Sequence, residues 1–152
     1  TGDTLEKNAL QKAEFVFRKY SINCFADDSG LEIDALDGKP GVYSSRYAGP
    51  QCSFEDNMNK VINEMREMTN RNARFRTVIA LILNGKKFYF DGTVKGLILE
   101  EKLGSHGFGY DPIFLPHGSS KTIAEMCLEE KNQISHRAKA VGKLMDFLKK
   151  SF

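Results

Sequence analysis

Residues 75–90 read FRTVIALILNGKKFYF, and they predict the central unit of the fold. Two runs rich in β-branched and aromatic residues flank the dipeptide Asn84-Gly85. Asn-Gly between two such runs is a strong signal for a β-hairpin, because both residues accept the positive φ angles of a tight turn. The sequence therefore predicts a strand over residues 75–83, a turn at Asn84-Gly85 and a second strand over residues 87–90.

Three helices are predicted outside the hairpin, from apolar residues that recur at helical spacing: residues 3–20, 53–68 and about 134–150. Asp3 and Glu6 fit a capping box at the first helix, and Ser53 and Asp56 fit one at the second. The last helix is expected to bury Ile134, Ala138, Val141, Met145 and Leu148. Phe54 falls on the predicted buried face of the second helix.

Further short strands are predicted over residues 22–26, 31–36, 93–101 and 113–115. Glycine-rich loops cover residues 39–50 and 104–112. The resulting order is α, β, β, α, β, β, β, β, α. This order predicts one mixed α/β domain, with helices packed on a central sheet.

The composition narrows the class of protein. Of the 152 residues, 41% are hydrophobic and 28% are charged, which is typical of a globular domain with a buried core. The formal net charge of +2 argues against a nucleic-acid partner, because binding many phosphates requires a clear basic excess. The three cysteines match no zinc or disulfide pattern, which favours reduced thiols in a cytoplasmic protein. No apolar run approaches the ~20 residues that cross a bilayer, so no membrane partner is expected.

The tetrapeptide Asp27-Asp28-Ser29-Gly30 follows an apolar run and is predicted to lie at a strand end. Adjacent carboxylates repel each other unless a cation is near, and hard oxygen ligands suit Mg²⁺. Successive side chains of an extended segment point in opposite directions, so only one of the two carboxylates is expected to meet the metal. The alternative is a simple turn in which one aspartate caps backbone N–H groups.

Residues 105–112, SHGFGYDP, form the second candidate cluster. Glycines allow the backbone to approach a ligand closely, and Phe108 and Tyr110 offer ring faces on which a base can stack. Asp111 can accept hydrogen bonds. The alternative is an ordinary long loop packed by its own aromatic residues.

Two basic clusters complete the candidates. Lys131 and the tripeptide Ser135-His136-Arg137 lie at the start of the last predicted helix, where cations and backbone N–H groups suit a phosphate or a purine carbonyl. Asn8 and Lys12 lie one turn apart on the flank of the first helix. The alternatives are an N-cap serine followed by a solvated basic turn, and a solvated helix flank.

Together these segments resemble the inosine triphosphate pyrophosphatase family, also called the Ham1-like or XTP/dITP diphosphatases. The matching stretches occur in the family order and cover essentially the whole chain: residues 6–13, 26–31, 40–49, 107–114, 121–122, 130–131 and 134–137. Each motif is weak alone, but several in order are improbable by chance. The resemblance implies an elongated central mixed sheet flanked by helices, a nucleotide cleft, a homodimer, and Mg²⁺-dependent hydrolysis of ITP, dITP and XTP to monophosphate plus pyrophosphate.

The resemblance also implies roles for individual residues. Asp28 would be the general base and a magnesium ligand, Lys12 would face the phosphates, and Ser29 would lie beside the nucleotide. The base pocket would consist of Phe108, Gly109, Tyr110, Asp111, Lys131, His136 and Arg137. The last three of these would read the 6-oxo group that separates hypoxanthine from adenine.

Family members also carry an upstream strand with a phosphate loop, and an acidic residue just before the position of Thr1. We therefore expect residues 1–152 to be one nucleotide pyrophosphatase domain that is truncated at its N-terminus. Two alternatives stay open: a septum-inhibitor-type pyrophosphatase for modified pyrimidine nucleotides, and a nucleotide-binding fragment without catalysis. The Ser-His-Arg and Phe-Gly-Tyr-Asp-Pro motifs argue against the first, and the missing front segment keeps the second open.

Overall fold

A four-stranded sheet forms the centre of the computed structural model, which describes residues 2–151. Its strands pair in chain order: β1 Cys24–Ile33, β2 Asn72–Leu83, β3 Lys86–Ile98 and β4 Phe114–Pro116. The predicted mixed α/β fold class is confirmed. Within residues 2–151 every strand pairing is antiparallel, so the parallel pairing that a mixed sheet implies does not occur in this part of the chain.

The predicted hairpin is confirmed at β2 and β3. Asn84 and Gly85 connect the strands with φ angles of 52° and 78°, the left-handed region that a two-residue hairpin turn uses. The two strands predicted on the far side of this turn are one strand, because β3 continues through Asp91 and Gly92. The uninterrupted ladder to β2, from Asn72↔Leu97 to Leu83↔Lys86, makes this hairpin the longest unit of the sheet.

Within residues 2–151, four helices surround the sheet: α1 Leu5–Tyr20, α2 Phe54–Glu64, α3 Leu128–Ile134 and α4 His136–Ser151. Val78 and Ala80 of β2 pack with α1, whereas Ile79 and Leu81 pack with α4. Neighbouring side chains of a strand alternate between its faces, so α1 and α4 cover opposite faces of the sheet. Burial on both faces explains the continuous apolar run of β2. No helix within residues 2–151 is long and apolar enough to cross a membrane.

The start of α1 differs from the predicted capping box. The N-cap is Thr4, whose hydroxyl accepts a hydrogen bond from Lys7 N at 3.1 Å. Asp3 instead forms an ion pair with the Lys7 side chain. Glu6 forms an ion pair with Arg76 on β2, which explains an acidic residue beside the apolar stripe of this helix.

The predicted final helix is confirmed as α4, whereas α3, which ends just before Ser135, was not predicted. The buried residues of α4 are Ala140 and Leu144, whereas Val141 and Met145 are exposed, so the expected buried stripe is wrong. A close backbone contact between Gly92 of β3 and the first residue of α4 helps to orient this helix. A Cβ at Gly92 of β3 would lie 2.0 Å from the His136 carbonyl oxygen, and only glycine allows this approach.

Candidate active site

A cleft of about 380 Å³ opens on the face of the sheet that α4 covers. Its walls come from β1, the loop at residues 108–111, the start of α2 and the junction of α3 with α4. The volume suits a small-molecule ligand. All the residues predicted to bind substrate line it: Ser29, Phe108, Gly109, Tyr110, Asp111, Lys131, His136 and Arg137.

The predicted catalytic residues Asp28 and Lys12 do not line the cleft, because they lie on the other face of β1. The Asp28 carboxylate accepts a hydrogen bond from Asn8 Nδ2 at 3.1 Å and lies 3.5 Å from Lys12 Nζ. Lys12 Nζ also donates to the backbone oxygen of Asp27 at 2.9 Å. Asn8 and Lys12 both belong to α1, one turn apart, so the helix presents an amide and an ammonium group to one carboxylate.

The motif Asp27–Gly30 lies inside one continuous strand, and the expectation of a strand end here was wrong. The extended backbone directs Asp27 and Ser29 to the α4 face and Asp28 to the α1 face. This arrangement bears out the expectation that the two carboxylates point in opposite directions. β1 is the edge strand of the described sheet, so groups on its two faces can meet around that edge.

Arg137 is held at the cleft by two groups of β1. Its Nε lies 3.0 Å from an oxygen of Asp27, and its NH2 donates to Ser29 Oγ at 3.1 Å. Ser29 Oγ shares a hydrogen bond of 2.7 Å with the fully buried Thr77 hydroxyl. The guanidinium group is therefore oriented before any ligand arrives, yet its side chain keeps about half of its exposure.

His136 stacks on Phe75, with ring centroids 5.2 Å apart and an interplanar angle of 15°. Burial, followed by the positive charges of Arg137 and Lys131, lowers the pKa of His136 to about 4. The imidazole is therefore neutral near pH 7 and offers one donor and one acceptor nitrogen. A neutral ring suits a nucleobase better than a phosphate.

Asp111 organises the glycine-rich loop. One of its carboxylate oxygens accepts hydrogen bonds from Lys131 Nζ at 2.8 Å and from Phe108 N at 3.1 Å. Lys131 Nζ also lies 4.5 Å from the Phe108 ring centroid, a cation–π contact. Gly107 has a φ of 80°, and a Cβ there would lie 2.3 Å from the same carboxylate oxygen. The loop therefore requires glycine at this position.

Tyr110 connects this loop to the segment before α2. Its hydroxyl donates to the backbone oxygen of Ser44 at 2.6 Å, and burial raises its pKa above the usual value. Tyr110 is therefore a neutral hydrogen-bond donor with a structural role in the cleft wall. Its ring is almost fully buried, so it does not present the open stacking face expected from the sequence.

Comparison with known proteins assigns the family. Residues 1–147 match the model of the Ham1 family.

The chain belongs to the Ham1 family.

It is 55% identical over 148 residues to a protein of Flavobacterium johnsoniae named dITP/XTP pyrophosphatase, covering 97% of this chain and 77% of the relative. A protein of the same name from Flavobacterium psychrophilum is 53% identical over 149 residues, or 98% of this chain and 78% of the relative. The solved Ham1 protein of Staphylococcus aureus superposes with a TM-score of 0.97 at 44% identity, covering 100% of this chain and 80% of that chain.

Three further groups in this Ham1 chain were not identified from the sequence. Thr77 supports Ser29, and its only signal was a hydroxyl inside an apolar strand. Asn57, almost fully buried, accepts from Ala48 N at 2.8 Å and donates to the Ser45 carbonyl at 3.2 Å. Phe54 was predicted to be buried, but it is 54% exposed and lines the cleft. It is the first residue of α2, and this helix enters the hydrophobic core only one turn later, at Met58.

The donor set at Asp28 suits a divalent ion shared with a substrate. Its side chain is partly exposed, and both oxygens lie near groups of α1. Within residues 2–151 no group of three or more His, Cys, Asp or Glu side chains forms a metal cage. Mg²⁺ commonly takes one or two carboxylates and completes its shell with water and phosphate oxygens, so a single carboxylate fits that ion.

Proposed function

We propose that this chain is a nucleoside triphosphate diphosphatase that cleaves dITP, ITP and XTP to monophosphate and pyrophosphate. The names of its Ham1 relatives support this reaction. The observation that carries the proposal is the arrangement about β1. A cleft with cationic and neutral hydrogen-bonding groups lies on one face of this strand, and a carboxylate beside a lysine lies on the other.

Base selection follows from the donors that face the cleft. Lys131 and Arg137 can only donate hydrogen bonds, whereas neutral His136 can donate from one ring nitrogen and accept at the other. Hypoxanthine and xanthine present a carbonyl oxygen where adenine presents an amino group. Adenine would therefore leave unpaired a donor that the bound base covers, which is costly, and the site should reject it.

We assign the hydrolytic step to the α1 face. Asp28 would accept the proton of the attacking water, while Asn8 holds one carboxylate oxygen in a fixed orientation. Lys12 would donate to a phosphate oxygen from the same helix. When bound by Asp28 and the substrate phosphates, Mg²⁺ would neutralise triphosphate charge.

The remaining parts of the proposal rest on the resemblance. We propose that residues 1–152 form one pyrophosphatase domain, that the protein acts as a homodimer, and that it works in the cytoplasm. Sedimentation equilibrium tests the dimer, and fractionation of the source cells tests the location.

The central test is pyrophosphate release from dITP, dATP and dTTP, with and without Mg²⁺. We expect Mg²⁺-dependent release from dITP, and we expect Asp28→Asn to lower it by roughly a hundredfold or more. Asp146→Asn removes an exposed carboxylate from α4 and serves as the matched control, which should keep full activity. Preference for dTTP would instead indicate a pyrimidine pyrophosphatase. Binding of dITP without any release would indicate a binding module.

A further inference from the structure

Three large apolar side chains are exposed at the mouth of the cleft. Phe54 is 54% exposed, Phe108 is 62% exposed and Leu128 is 73% exposed, and all three line it. They come from the start of α2, the glycine-rich loop and the start of α3. Exposed apolar groups that cluster at the mouth of a mainly apolar cleft with a few polar groups commonly mark a ligand surface.

The two phenylalanine rings are spaced almost as a base requires. Their centroids lie 6.4 Å apart and their planes are tilted by 40°. A flat base stacked between two rings needs roughly 3.5 Å on each side, which is about 7 Å between the centroids. Opening by roughly half an ångström, together with a smaller tilt, would therefore admit a purine.

Phe54 stands on a rigid support. The Ser53 side chain and the Asp56 side chain cap the first turn of α2 reciprocally, at 3.1 Å and 2.9 Å. Buried Asn57 ties the same turn to the segment that contains Ser45. Glu55 also forms an ion pair of 2.9 Å with Lys102. These contacts fix the position of the Phe54 backbone.

Phe108 stands on the glycine-rich loop, where Asp111 accepts a hydrogen bond from its backbone N–H. It lies between Gly107 and Gly109, which have φ angles of 80° and 61°. Lys131 already contacts the Phe108 ring, and the purine-reading groups His136 and Arg137 line the same cleft. A base held at those groups would therefore lie beside the Phe108 ring.

We propose that Phe54 is a substrate-binding residue, and that the purine base is held between the rings of Phe54 and Phe108. The inference rests on the proposed function only for the identity of the ligand, a purine nucleotide. Phe54 supplies one wall and Phe108 the other. Stacking strengthens binding of any flat base, so Phe54 sets affinity while His136 and Arg137 set selectivity.

The chain contains no tryptophan, so Phe54→Trp introduces the only indole fluorophore. We expect inosine monophosphate, the product of the proposed reaction, to quench this fluorescence saturably as it stacks. The midpoint should match the binding constant that calorimetry gives for the same variant. Phe15→Trp is the matched control, since Phe15 is 66% exposed on α1 and lies outside the cleft lining, and its emission should not change.

The outcomes separate the two proposals. Calorimetric binding of inosine monophosphate to Phe54→Trp without quenching would overturn the role of Phe54 and leave the proposed function standing. Failure of the unaltered protein to bind inosine monophosphate and to hydrolyse dITP would overturn both.

A kinetic test distinguishes stacking from a structural role. Phe54→Ala should raise KM for dITP by roughly five- to a hundredfold, the range for loss of one stacked base, with little change in kcat. Phe54→Tyr, which keeps an aromatic ring, should restore the KM of the unaltered protein. Inhibition by inorganic tripolyphosphate, which has no base, should be unaltered in Phe54→Ala. Equal weakening of tripolyphosphate and dITP would overturn the inference.

Discussion

The two faces of β1 differ in how they hold neighbouring aspartates. On the α4 face, Asp27 is neutralised by Arg137, which also contacts Ser29. On the α1 face, Asp28 has an amide at 3.1 Å and an ammonium group at a looser 3.5 Å. The Asp27 carboxylate orients the Arg137 guanidinium group, whereas the more loosely held Asp28 carboxylate remains able to bind a ligand or a proton. In the proposed function, one extended strand would separate base recognition from phosphate chemistry by the alternation of its side chains.

The largest expected effect compares the two aspartates directly. Asp28→Asn should lower kcat for dITP by roughly 10²- to 10⁴-fold, since it removes the proposed general base. Asp27→Asn should leave kcat nearly unchanged and raise KM several-fold, because Arg137 loses its orienting partner. Steady-state kinetics on both variants checks this. A comparable loss of kcat in Asp27→Asn would show that the two faces do not divide the work.

The pH dependence of stability tests the neutral state of His136. Its pKa is about 4 in the folded protein, against an ordinary value near 6.5. Between these values the unfolded chain binds a proton that the folded chain does not. Stability should therefore fall as the pH decreases from 6.5 towards 4, by an amount on the order of 2 kcal/mol.

Urea unfolding at several pH values measures this slope, and His136→Gln should flatten it. An unchanged slope in the variant would show that other groups cause the acid sensitivity. Asp28 lies on the opposite face of β1 from His136, so Asp28→Asn is the control for a substitution away from the α4 face.

Arg137→Lys tests whether the shape of the guanidinium group, beyond its charge, matters on the α4 face. Lysine keeps the charge but lacks the planar fork that contacts Asp27 and Ser29 together. We expect the preference for dITP over dATP, as a ratio of kcat/KM values, to fall about tenfold. Lys139→Arg, an exposed exchange on the same helix, should keep the preference. An unaltered preference in Arg137→Lys would remove Arg137 from base selection.

The smallest effect is expected at Thr77. Thr77→Val removes the buried hydroxyl that holds Ser29, while keeping a similar shape. We expect KM for dITP to rise a few-fold and stability to fall by about 1 kcal/mol. Thermal unfolding and dITP kinetics measure the two effects. A change in kcat without a change in KM would place Ser29 in the chemistry rather than beside the base.

The accuracy of the sequence predictions follows the range of the interactions involved. The Asn84-Gly85 turn and the Ser53–Asp56 capping box are confirmed, because each depends on residues within three positions of one another. The Thr4 cap was missed by one residue, which is the usual uncertainty of a helix end. The gathering of all eight predicted substrate-binding residues in one cleft also agrees with the resemblance.

Other features depend on residues that are far apart in the chain. The continuity of β1 through Asp27-Asp28 depends on pairing with β2, and the Ser29 contact with Arg137 spans 108 positions. The buried stripe of α4 is Ala140 and Leu144 rather than the residues expected from spacing, and its first turn rests on Gly92.

The hairpin, the family motifs and the chemical types present at the site follow from the order of the amino acids alone. The placement of Asp27 and Asp28 on opposite faces, and of Phe54 in the cleft, follows from how distant elements pack. The physical reason is that turns and caps are local, whereas the partner of each side chain depends on which distant element covers that face of the sheet.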